Sequence, residues 1–402
     1  MISLPSQISF SGLEDFLHEV HQSPGQSLKL PLQVRRGGAF SFSAVALQAV
    51  ATWARIHTGE RQLVVARQFA TDEITKSRLS GTLFGMAGLY FANELLAGDI
   101  KLSRPEGLEA VTPRVFAMQD YRYRDTLRGQ NSALCCFERA KLEFIQSLYA
   151  IPARGNADTT TVRSESEFKV VLSRLLDACA SGTSNSLEDT QLEVLSQLVH
   201  QLIKNADVHT QTDAKQTLSK SGIRGLQVRV ISIGDEEAFS DFVAEDRALH
   251  AYLVKLGRRR VVRERGAAGK QSKLSDWQST SFAEITVFDT GPGLALRWLS
   301  KKTGAVKYAD FDEAQELEAV KSCFELHATS HTSPMKGDGL PIALQAMRSL
   351  RAFMFLRTGR LALFQDFSSG SKTDFSPNNR YGVRRLQEAV GATYSICFPL
   401  TP

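Results

Sequence analysis

Three groups of residues have the types and spacing to do chemistry together. Gln201, Asn205 and His209 recur at four-residue steps, so on a helix all three project from one face. An amide oxygen such as that of Asn205 suits a hard cation, although a polar stripe on an amphipathic helix is ordinarily its solvated side. A second group is Asp289, Gly291 and Gly293, which end a strand-like run beginning at Ile285. A carboxylate at a strand mouth can accept a hydrogen bond from an amine, and glycines beyond it let the backbone approach a flat ring without a Cβ in the way. The same spacing also makes an ordinary aspartate turn. The third group is Thr329, Ser330, His331 and Lys336, followed by Gly337, Gly339 and Leu340 at the head of an apolar helix over 340–350. Free backbone N–H groups at a helix start attract phosphate, and Pro341 fits the first turn, where its missing N–H costs nothing. Taken alone, Gly-x-Gly is a weak signal.

The elements that must position these groups are readable in outline. Leu192, Leu195, Leu198, Val199, Leu202, Ile203 and Ala206 form the buried stripe of a helix starting near Leu187, with Ser186 and Asp189 as its expected capping box. Alternating apolar residues predict strands over 226–233, 283–289 and 391–399. Upstream, residues 1–25 read as a tail or short helix. Strand 28–34, helix 40–57 and strand 62–67 make a βαβ unit, with further helices over 72–97 and 134–150, so 26–150 is expected to be a small α/β domain. Residues 151–185 then read as a polar linker and a helix over 166–180, and 186–402 as a second domain.

Composition narrows the setting. The chain has 402 residues and 48 Lys plus Arg against 43 Asp plus Glu, giving 48 − 43 = +5. That excess is too diffuse to mark a nucleic-acid binder. Five scattered cysteines without a CxxC pair argue against a disulfide framework or zinc ribbon and for a reducing, cytoplasmic setting. The most apolar stretches, 40–54 and 81–97, carry Ser43, Gln48, Thr52, Asn93 and Glu94, so neither reads as a membrane span.

In their order along the chain, the Asn-bearing helix, the Asp-x-Gly-x-Gly strand end, the Gly-x-Gly-Leu helix start and a closing strand containing Gly391 and Thr393 resemble the GHKL superfamily of gyrase, heat-shock chaperones, histidine kinases and MutL. The resemblance covers 186–402. It implies a Bergerat-type α/β (α+β) sandwich, with a mixed sheet and helices on one face, that binds ATP and Mg2+. Asn205 would ligate the metal. Asp289 would hold the adenine, with Gly291 and Gly293 shaping the base pocket and Thr393 behind it. Gly337, Gly339 and Leu340 would meet the phosphates, aided by Thr329, Ser330 and Lys336, and His209 would face the triphosphate. Residues 297–336 fall where that family has its lid.

This sequence departs from the family at Gln201, where efficient ATPases carry a glutamate. An amide is no general base, and losing such a base costs about 10²–10⁴-fold in rate. The resemblance therefore implies a nucleotide-dependent switch acting on a protein partner or a homodimer. The alternatives are a protein kinase and a slow MutL-like ATPase. An insertion over about 234–282 carries Arg258, Arg259, Arg260, Arg263 and Arg265. It reads as a solvated loop in preference to a nucleic-acid contact, for want of interleaved aromatics.

Overall fold

A computed structural model describes residues 1–6, 9–32, 39–138, 143–150, 160–215, 217, 221–233, 236–244, 246–256, 280–325, 339–369, 374–382 and 385–400. It is an α/β structure with two principal sheets. In the first, β1 (Ile2–Ser3), β2 (Leu28–Lys29), β3 (Gln62–Val65) and β4 (Glu94–Ala97) run parallel, and β5 (Ile100–Ser103) pairs antiparallel with β4. The βαβ unit forms as its pattern implies, with helix Phe42–Ile56 linking β2 to β3.

Residues 1–25 are more than a tail. They supply β1 and helix Phe10–Gln22, whose Leu13, Phe16, Leu17 and Val20 are buried at the spacing of a core-facing stripe. Glu14 on this helix makes a two-pronged ion pair with Arg357, at 2.9 and 3.0 Å. The expected helix over 72–97 divides into Glu73–Ser80, Leu83–Phe91 and strand β4. Thr82 is the reason, since its hydroxyl accepts from Gly85 N and starts a new helix.

The second sheet has the order β13 (Asn378–Asn379), β12 (Leu361–Asp366), β11 (Phe353–Gly359), β14 (Ala389–Pro399), β10 (Thr280–Asp289), β9 (Ile223–Ile233), β6 (Asn131–Phe137). Every pairing in it is antiparallel. The mixed sheet expected of the C-terminal part is thus found in the N-terminal part. Strand β6 also corrects the helix expected over 134–150, because a short apolar run carries no helical period of its own. Although it lies within 26–150, it completes the edge of the larger sheet. Tyr149–Ala150 (β7) and Thr161–Val162 (β8) form a small separate pair.

Helices cover both faces of the larger sheet, where one covered face was expected. Arg224 and Arg229, five apart on β9, point to opposite sides. Arg224 pairs with Asp207 of helix Asp189–Gln211 at 2.9 Å. Arg229 pairs with Glu284 at 3.2 Å, and Glu284 accepts from Ser41 N at 2.7 Å, just ahead of helix Phe42–Ile56. Twelve of the fifteen residues of Phe42–Ile56 are buried, because the helix is pressed between the two sheets; a helix apolar on all sides needs cover on all sides. The two parts share one continuous core. In the insertion, Glu236–Val243 is helical, as is 247–256, and the arginine run at 258–265 lies outside the described residues. Among the described residues no helix is long and apolar enough to cross a membrane.

Candidate functional site

The helix carrying the polar stripe spans Asp189–Gln211. Its cap is Glu188 with Gln191, not Ser186 with Asp189, because Ser186 closes a preceding 3-10 turn, Thr183–Ser186. The helix is fixed to the sheet through Asp207, whose Oδ1 accepts from the Tyr149 hydroxyl at 2.7 Å and pairs with Arg224 Nε at 2.9 Å. Arg224 also pairs with Glu138, deep beneath the helix. At its far end, Arg297 donates to Val208 O at 3.2 Å and to Asp213 O at 3.1 Å. The Asn205–His209 end of the stripe is therefore held firmly in place.

Opposite that stripe stands the start of helix Gly339–Ser349. A Cβ on Gly339 would lie 3.1 Å from Gln201 Oε1, 3.8 Å from Asn205 Nδ2 and 3.9 Å from Asn205 Oδ1. The glycine start and the two amides, more than 130 residues apart in sequence, thus face each other at close range across a narrow gap, with a Cβ at 339 crowding the Gln201 amide. Leu340 turns inward and is buried, so it anchors the helix start to the core and offers the gap no side chain. Thr329, Ser330, His331, Lys336 and Gly337 lie outside the described residues.

Asp289 and its glycines adjoin the other end of the stripe. Asp289 Oδ1 accepts from Gly291 N at 2.8 Å. A Cβ on Gly291 would collide with His209 O at 2.2 Å, and Gly293 has φ +86° with the Tyr308 hydroxyl where a Cβ would sit. Each glycine is needed, the first for a close backbone approach and the second for a left-handed conformation. From Gln201 to His209 the helix rises about 12 Å, which sets the separation of the two ends of the site. Asp289 is only 4% exposed, and burial, opposed by the Gly291 and Ala392 amides and by Arg297 and Arg55, lifts its pKa from 3.8 to about 7. The backbone of His209 closes over this turn, so a ring reaches the carboxyl only if the two separate.

Thr393 sits apart from these groups. It is register-paired with Phe288, whereas Ala392 is paired with Asp289, so its side chain leaves the opposite face. There its hydroxyl donates to Gln48 Oε1 at 3.3 Å. Gln48 Nε2 in turn donates to Val390 O at 2.8 Å and Arg357 O at 3.1 Å. Arg55, two turns further along the same face of helix Phe42–Ile56, donates to Thr290 O at 2.9 Å. The N-terminal part thus grips the Asp289 turn from behind. The segment expected as a lid begins as two helices, Leu294–Thr303 and Glu313–Ser322. The second is tied down by buried Glu316, which pairs with Arg360 Nε at 2.7 Å, and 326–338 lies outside the described residues.

Sequence reasoning did not single out Glu165, Arg55, Gln48 or Arg297. Glu165 opens helix Glu165–Cys179 and accepts from Gln201 Nε2 at 3.0 Å. Gln48 carried a signal, being a polar residue inside an otherwise apolar helix, whereas the partners of the others are set by tertiary packing alone. Among the described residues no group of three or more His, Cys, Asp or Glu side chains is arranged to hold a metal, so a cation here would rest on Asn205 and on its own ligands. No family model, curated protein or solved structure matches the chain.

Proposed function

We propose that the chain binds Mg-ATP along the Gln201–His209 stripe and uses it as a switch. The observation that carries this reading is the apposition of Gly339 to Gln201 and Asn205, with the Asp289 turn at the end of strand β10 lying against His209, two helical turns on from Gln201. Backbone amides at the start of an eleven-residue helix favour phosphate oxygens. An amide oxygen across from them is a suitable ligand for a phosphate-bound Mg2+, which keeps most of its waters. Gly339 lies close against the two amides, so phosphates and metal enter only as the helix start parts from the stripe. The base end fits a purine only once the His209 backbone parts from Gly291, so occupancy is coupled to movement of that turn. Because Arg55 and Gln48 hold the turn and strand β14 from behind, such movement is transmitted to the N-terminal part. A protein partner or a second copy of this chain would read it.

Titration calorimetry tests the proposal. Wild type binds ATP in the presence of Mg2+, and Asn205→Ala loses about tenfold in affinity only when the metal is present. Equal loss with and without metal removes Asn205 from the metal site. Failure of wild type to bind ATP at millimolar concentration removes the proposal itself.

A further inference from the structure

Gln201 is a donor and an acceptor in one planar group, and which end faces the gap decides what the gap can do. Its Nε2 donates to Glu165 Oε1 at 3.0 Å, while its Oε1 is the atom nearest the position of a Gly339 Cβ, at 3.1 Å. The reverse arrangement would set a carbonyl oxygen against a carboxylate, two acceptors without a hydrogen between them. Glu165 therefore fixes the amide. His200 strengthens the arrangement, with Nδ1 3.3 Å from the same carboxylate oxygen. The ring is packed against Phe168 at 5.7 Å. Glu165 sits on a different helix, in its first turn, and lies 41% exposed, so little in the core depends on it.

We infer that Glu165 is a positioning residue that holds Gln201 with its carbonyl toward the phosphate end, where it accepts a hydrogen from the water that attacks ATP. This rests on the nucleotide reading above and deepens it. In the reaction, a lone pair of the water oxygen forms the new bond to the γ-phosphorus. The bond from that phosphorus to the β–γ bridging oxygen breaks, and its electron pair leaves on ADP. Neither Gln201 nor Glu165 takes the proton, which ends on the released inorganic phosphate. The chain is then a slow ATPase, with water oriented by an acceptor instead of deprotonated by a base. An amide turned the other way would present its N–H₂ to phosphate oxygens and hold nucleotide without orienting water.

The test pairs calorimetric affinity with steady-state phosphate release, using Glu165→Ala, Glu165→Asp and Glu165→Lys in the full chain. Misplacing a reacting group by about 1 Å costs about 10²-fold in rate. Glu165→Ala is expected to lower kcat by about that factor with ATP affinity within about twofold of wild type, and Glu165→Asp to recover most of the rate. Glu165→Lys turns the amide around, so ADP and ATP affinity rises or holds while turnover is lost. Wild-type turnover in Glu165→Ala, or parallel loss of affinity and rate in all three variants, overturns the inference, as does ATP binding by wild type with no phosphate release. Absence of ATP binding in wild type overturns the nucleotide reading instead.

Discussion

Replacing Asp289 by Asn removes a buried charge while keeping an oxygen that accepts from Gly291 N. Burial lifts the Asp289 pKa from 3.8 to about 7, and about three units of pKa correspond to about 4 kcal/mol, an upper bound for the free protein. For a carboxyl raised in this way, the folded state retains the proton when the unfolded chain has lost it. Wild type therefore loses stability as pH rises from about 4 to about 7, and the loss is flat above that window. The Asn variant lacks this loss. Urea denaturation at pH 4.5, 6, 7 and 8 should show the variant gaining on wild type across the window, with a constant advantage at pH 7 and above. The same substitution is expected to weaken ATP binding ten- to hundredfold, because a hydrogen bond to a charged acceptor contributes about 1.5–3 kcal/mol. A stability difference independent of pH would refute the burial argument, and unchanged ATP affinity would remove Asp289 from the base site.

Three further outcomes follow from the same geometry. Gly339→Ala places a Cβ 3.1 Å from Gln201 Oε1, so ATP affinity should fall about tenfold while thermal unfolding is nearly unchanged, since alanine suits a helix start. Gln48→Leu strands the carbonyls of Val390 and Arg357, and chemical denaturation should show a loss of about 1–3 kcal/mol. Glu14→Ala leaves Arg357, which is 0% exposed, without its counter-charge. A loss of about 3–5 kcal/mol is expected, along with failure of a chain lacking residues 1–25 to fold; a stable truncated chain would detach the first helix from the core.

The parts of this structure that could be read in the sequence are those with a strong local period. Helix Asp189–Gln211 announces itself through seven apolar residues at three- and four-residue steps, and its polar stripe is visible from the same count. Strands β9, β10 and β14 carry alternation long enough to be read, and Asp289 marks the end of β10. Strand β6 failed this test because seven mostly apolar residues, buried on both sides, show neither alternation nor helical spacing. The cap at Glu188 was missed because a serine nearby matched the same pattern. The pairing of Thr393 with Gln48 depends on two sheets closing around one helix, and no local pattern encodes which face of a strand a distant helix will cover. Glu165 beside Gln201 is of the same kind, since two helices packed side by side create a neighbour that neither sequence segment shows.

The most direct measurement is a crystal structure grown with Mg2+ and a non-hydrolysable ATP analogue. The account requires the metal against Asn205, the phosphates at the Gly339 backbone, and the base against Asp289, with His209 O withdrawn from Gly291. An analogue bound elsewhere, or Asp289 still sealed beneath the His209 backbone with nucleotide present, would contradict it.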